Sequence, residues 1–141
     1  MPTELGLLTP DASSRAEWLF LAQPQSVPEA RRLIALSLHH LPDESLDVVL
    51  LLVSELMSNA VLHGTGSVGL HLGWDRAGVR VGVTDQSSEV PVVPSLDLEA
   101  LGGRGLLLVD ELSSDWGVLT GEAGQGKTVW FTLRTSAGLI Q

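Results

Sequence analysis

The stretch Leu50 to Gly64, LLLVSELMSNAVLHG, decides how this chain is read. It reads as one helix with two polar residues set among apolar ones. Glu55 and Asn59 are four apart, so on a helix they stand one turn above the other and point the same way. Val48, Leu51, Leu52, Leu56 and Ala60 surround them with apolar side chains. A carboxylate and an amide on the inner side of a buried helix need a partner, because burying them unpaired costs a few kcal/mol. That partner is either protein or ligand, and the rest of the chain bears on which.

The 141 residues suit one domain, and a hydrophobic fraction of 44% supplies a core. The mean hydropathy is +0.25. The absence of cysteine excludes disulfides and thiolate chemistry. The run LDVVLLLVSELM is interrupted by Ser54 and Glu55, so no uninterrupted apolar run of the roughly 18 to 20 residues of a membrane helix is expected. The N-terminal MPTELGLLTPDASS has no basic region followed by a long apolar run, so no signal peptide is expected and the cytoplasm is the expected location. Seventeen acids against eight bases leave a net charge of −9, which weighs against a nucleic-acid surface. Any phosphate ligand would be held by backbone amides, a metal ion or single cations.

Residues 1–14 read as a loose leader, 15–135 as a single domain and 136–141 as a tail. Glu17 to Ala22 reads as a strand, and Ser26 to Leu41 as a helix capped by Ser26 with Pro28 in its first turn. Asp43 is the expected N-cap of the central helix, which is expected to stop at Gly64. From Ser67 the period changes to two: Val68, Leu70, Leu72 and Trp74, a turn at Asp75 to Gly78, then Val79, Val81 and Val83, a hairpin. Gln86 to Gly103 has no clean period and reads as a functional loop. Arg104 to Leu112 is helical, and Asp115 to Thr120 and Thr128 to Thr135 are strands. The fold class expected is α+β, a two-layer α/β sandwich whose mixed, mostly antiparallel sheet is covered on one face by helices.

Two nucleotide motifs compete. Gly121 to Thr128, GEAGQGKT, fits the phosphate-loop pattern G-x-x-x-x-G-K-[ST]. Its mechanics fail, because that loop must lead into a helix whose N-terminus cradles the phosphates. Here TVWFTLRT follows, β-branched and aromatic at period two, so Gly121 to Gly126 reads as a hairpin turn. The second constellation is spread out: Glu55 and Asn59, Asp85 at a strand end, Gly102 to Gly105 at a helix start, and Gly126 to Thr128 entering the last strand. For an ATP ligand, Asp85 would accept from the adenine amino group, and the glycine run would let backbone N–H groups approach the phosphates. Asn59 would offer its amide oxygen to Mg2+, and Glu55 would take a proton from an attacking hydroxyl.

In this order, SELMSNAVLHG, VTDQSS, GGRGLLLVDELSSDWGV and GKTVWFTL resemble the four nucleotide-binding boxes of the GHKL ATPase superfamily, which includes gyrase, histidine kinases and MutL. The subgroup most resembled is the bacterial anti-sigma-factor serine/threonine kinases, with the small ATP-binding regulators of actinobacteria. The resemblance covers roughly residues 17–133. It implies a Bergerat-type sandwich binding Mg-ATP beneath a lid, with Asn59 as magnesium ligand, Glu55 as base and Asp85 as adenine contact. It further implies Gly103 and Gly105 as phosphate-loop glycines, with Arg104 between them. His63 would lie near the phosphate edge, and Thr128 near the adenine through water. One position departs from the pattern: Ser87 stands where glycine is common, which leaves the lid over Gln86 to Leu101 less defined. The implied activity is transfer of the ATP γ-phosphate to a serine or threonine of an antagonist protein, together with sequestration of a sigma factor by a homodimer. The alternative is a nucleotide-sensing module without catalysis. A two-component kinase domain ranks below both, since His39 and His40 precede Leu41-Pro42 on the first helix rather than lying on a phospho-acceptor helix.

Overall fold

The computed structural model describes residues 14–63, 66–86, 104–121 and 126–135. In chain order the elements are β1 (Ser14–Leu21), α1 (Ser26–Ser37), α2 (Asp43–His63), β2 (Ser67–Trp74), β3 (Gly78–Asp85), α3 (Arg104–Leu112), β4 (Asp115–Thr120) and β5 (Lys127–Arg134). The strands form one sheet in the order β1-β2-β3-β5-β4, and each of its pairings is antiparallel. The expected α+β sandwich is therefore present, with a described sheet that is antiparallel throughout.

Period-two alternation gives this sheet two unlike faces. Leu70, Leu72, Val79, Val81, Val83, Val129 and Phe131 point to the helices and are buried. The other face carries Leu19, His71, Arg80, Gly82, Thr84, Thr128 and Trp130, by the strand registers. There the Arg80 guanidinium lies 4.3 Å from the Trp130 ring centroid. Trp130 in turn lies over Gly117, where a Cβ would come within 2.8 Å of the indole.

α2 is the core helix. Val49, Leu52, Val53, Leu56, Met57 and Ala60 recur at helical spacing and are buried against the sheet. Asp43 and Glu44 sit in its first turn, where the helix dipole favours acids. By length and composition alone α2 could cross a membrane, since an 18-residue window within it has a mean hydropathy of 1.7. The helix nonetheless packs its apolar stripe into this core.

α1 departs from expectation at both ends. Gln25 occupies the N-cap without a side-chain cap, and Ser26 Oγ instead donates to the Leu21 carbonyl at 2.6 Å, tying the helix start to β1. The helix stops at Ser37 rather than Leu41, since Leu38 leaves helical geometry ahead of Pro42. Arg31 joins α1 to α2, donating to the Leu50 carbonyl at 3.1 Å and to Ser54 Oγ at 2.6 Å.

Phe131 is wholly buried on the central strand pair beneath the helices. Phe131→Ala is expected to lower unfolding free energy by about 3–5 kcal/mol in chemical denaturation. A loss below about 1 kcal/mol would contradict its place in the core.

Candidate nucleotide-binding site

Glu55, Asn59 and His63 follow one another at four-residue spacing and form a stripe along α2. The stripe lies on the shoulder of the helix rather than its inner face: Glu55 and Asn59 are half-buried and His63 is exposed. The expectation that the pair faces inward is corrected by the position of the buried stripe, which runs through residues 49, 52, 53, 56, 57 and 60. Asn59 is turned about 140° around the axis from Ser54, which Arg31 of α1 holds. The shoulder therefore faces away from α1, the helix on the other flank. Among the described residues, neither Glu55 nor Asn59 has a side-chain hydrogen-bond partner. Being half-buried, both keep access to water, so neither bears the desolvation cost of an orphaned group.

Topology gathers the functional groups at one end of the sheet. α2 reaches β2 through residues 64–66, and Gly69 of β2 pairs with Thr84 of β3. Gly66, at φ 75°, is placed so that a Cβ would lie 4.0 Å from the Gln86 side chain. The C-terminal end of α2 and the end of β3 at Asp85 therefore share one edge. Lys127 at the start of β5 pairs in register with Asp85. α3 enters β4 through Ser113 and Ser114, so its C-terminus meets the sheet at Asp115, the far end of β4, which pairs with Thr132. Its N-terminus thus heads back toward the Asp85 end.

Asp85 is buried on the helix-covered face, where Lys127 is one of its partners. The Lys127 ammonium donates to Oδ2 at 2.9 Å and Oδ1 at 3.2 Å, with the two side chains 7% and 5% exposed. Burying a carboxylate at this depth costs several kcal/mol unless it is paired and hydrogen-bonded. Gly126, at φ 80°, makes the pairing possible: a Cβ there would come within 2.9 Å of the Asp85 carbonyl oxygen.

Thr128 is set on a different face of the sheet from Asp85. Its neighbour Lys127 points to the Asp85 face, so alternation turns Thr128 to the opposite, uncovered face. Its hydroxyl lies 2.6 Å from Thr84 Oγ1 there, and His71 Nε2 is 3.4 Å from Thr84. Thr128 does not share a face with Asp85. Lys127, which the sequence places only in the run entering the last strand, does. The signal was present in the spacing Lys127-Val129-Phe131, which puts the lysine in line with two core residues. Its partner became visible only with the β3–β5 register.

The phosphate-loop pattern is resolved by the same pairing. The Gly121 N–H donates to the Gly126 carbonyl at 2.9 Å, closing an antiparallel β4–β5 hairpin, and Lys127 opens a strand rather than a helix. Gly103, Ser87 and the remainder of the expected lid after Gln86 lie outside the described residues. Arg104 and Gly105 open α3. No cluster of three metal-ligating side chains occurs among the described residues.

A helix-borne acid–amide stripe and a buried strand-end aspartate, in a helix-covered antiparallel sheet, define a class of nucleotide-binding domain. The family model of the histidine kinase-like ATPase domain matches residues 20–133, and the chain belongs to that family. Among solved structures, the chain is similar to the RsbU and RsbW domains of Rv1364c from Mycobacterium tuberculosis, with a TM-score of 0.63 and 20% identity. The match covers 86% of this chain and 32% of that one, so this chain spans about a third of the neighbour's length. None of the curated proteins matches the chain.

Lys127→Met leaves Asp85 charged and buried without its ammonium, and is expected to cost about 3–5 kcal/mol of stability. Adding Asp85→Asn should return most of that loss. A double variant whose destabilisation equals the sum of the two singles would mean that the pair contributes no coupling.

Proposed function

We propose that this protein is an ATP-binding regulator of the anti-sigma-factor kinase type. In this reading it transfers the γ-phosphate of ATP to a serine or threonine of an antagonist protein and sequesters a sigma factor. It works in the cytoplasm as a homodimer and binds neither nucleic acid nor membrane. What supports the reading is that the chain belongs to the histidine kinase-like ATPase family and that the C-terminal end of α2 and the buried Asp85 lie at the same end of the sheet.

Each residue has a separate task. Asp85 accepts from the exocyclic amino group of adenine and orients the base. Asn59 offers an amide oxygen to Mg2+, which when bound would offset the charge of the phosphate oxygens. His63 would serve the phosphate edge, and the phosphate-loop role would fall to the glycine-rich run that leads into α3, whose N-terminus, opened by Arg104 and Gly105, favours anions. Glu55, half-buried on the stripe, accepts the proton of the attacking hydroxyl. A new oxygen–phosphorus bond forms to that hydroxyl oxygen, the bond from the γ-phosphorus to the bridging oxygen breaks, and ADP leaves. Thr128, on the other face, has no part in this scheme beyond its bond to Thr84.

Calorimetry with Mg-ATP tests the site. Asn59→Ala and Asp85→Asn are each expected to weaken binding by about tenfold or more. Binding indifferent to both changes would remove the site assignment. Glu55→Ala is expected to keep ATP binding while slowing transfer to an antagonist protein by about 10²- to 10⁴-fold. Wild-type binding without any transfer would favour the nucleotide-sensing module over the kinase.

A further inference from the structure

Lys127 is a buried ammonium that the phosphoryl-transfer scheme leaves unused. It cannot drift from Asp85, because the two residues are register partners and Gly126 holds β5 close against the Asp85 backbone. Its contacts reach both carboxylate oxygens, at 2.9 and 3.2 Å. The base-recognising end of the site is therefore a contact ion pair.

The distinction matters for base selection. A carboxylate by itself is acceptor-only, so it welcomes the adenine amino group and repels the guanine O6 that occupies the same position. A carboxylate beside an ammonium offers an acceptor and a donor together. An ammonium has three N–H donors, and pairing with an ammonium does not end a carboxylate's capacity as an acceptor. The adenine edge, with an amino donor next to the N1 acceptor, matches this pair in one order. The guanine edge, with the O6 acceptor next to the N1–H donor, matches it in the other. We propose that Lys127 is a specificity-determining residue and that, through its pair with Asp85, the site takes guanine as well as adenine nucleoside triphosphates. This inference rests on the nucleotide-binding reading above and changes its substrate class from adenine to purine nucleotides.

The test is calorimetric titration of the full chain with Mg-ATP and Mg-GTP, for wild type and Lys127→Met, with circular dichroism to monitor folding. The wild type is expected to bind GTP within about tenfold of ATP. In Lys127→Met the preference for ATP over GTP should rise by about tenfold or more. Wild-type binding of ATP without GTP would overturn the role of Lys127 and leave the nucleotide site standing. An unchanged preference in a folded Lys127→Met variant would overturn it too. Binding of neither nucleotide by the wild type would overturn both readings. Should Lys127→Met not fold, the wild-type ratio decides, with Lys127→Arg, which keeps charge and donors, expected to retain binding of both nucleotides.

Discussion

The pairing of β3 with β5 is the constraint on which the site depends. β3 is flanked on both sides, by β2 and β5, and every residue of its helix-facing set is buried. A slip of one residue in either pairing would turn Val81 and Val83 out to the uncovered face. Because the apolar set cannot slip, Asp85 at the strand end is held under the helices, and residue 127 is held opposite it. The chemistry at this end of the sheet is thus a consequence of packing at its middle. Gly126 completes the constraint, since its left-handed backbone admits β5 at a distance that a side chain would forbid.

The two faces of the sheet differ in what they hold. The covered face holds the core and also the ion pair. The uncovered face holds polar and aromatic groups that satisfy one another: Thr84 with Thr128, Arg80 over Trp130, and His71 beside Glu17 at 3.4 Å. A charged pair in a core is retained at a cost relative to an apolar one, because desolvation offsets much of the attraction.

α2 shows how one helix serves both ends. Its inner stripe is apolar and sealed, one flank is tied to α1 through Arg31 and Ser54, and the remaining shoulder carries Glu55, Asn59 and His63. Half-burial suits Glu55 and Asn59. A fully buried carboxylate would need a permanent partner, while an exposed amide would compete with water for any cation.

Sequence alone determined the elements and much of the class. Period two in β2, β3 and β5, period 3.6 in α2, and β-branched residues after the GEAGQGKT turn are local patterns, and each survived folding. The stripe of Glu55, Asn59 and His63 was likewise legible, because residues four apart on a helix share a side whatever it packs against. What sequence could not carry was pairing between distant strands. Strand register is set by the burial of a whole face, so only the tertiary structure decided that Lys127 rather than Thr128 stands against Asp85. For the same reason, it alone placed Glu55 and Asn59 on the shoulder of α2: which arc of a helix is inner depends on where the sheet and α1 press against it.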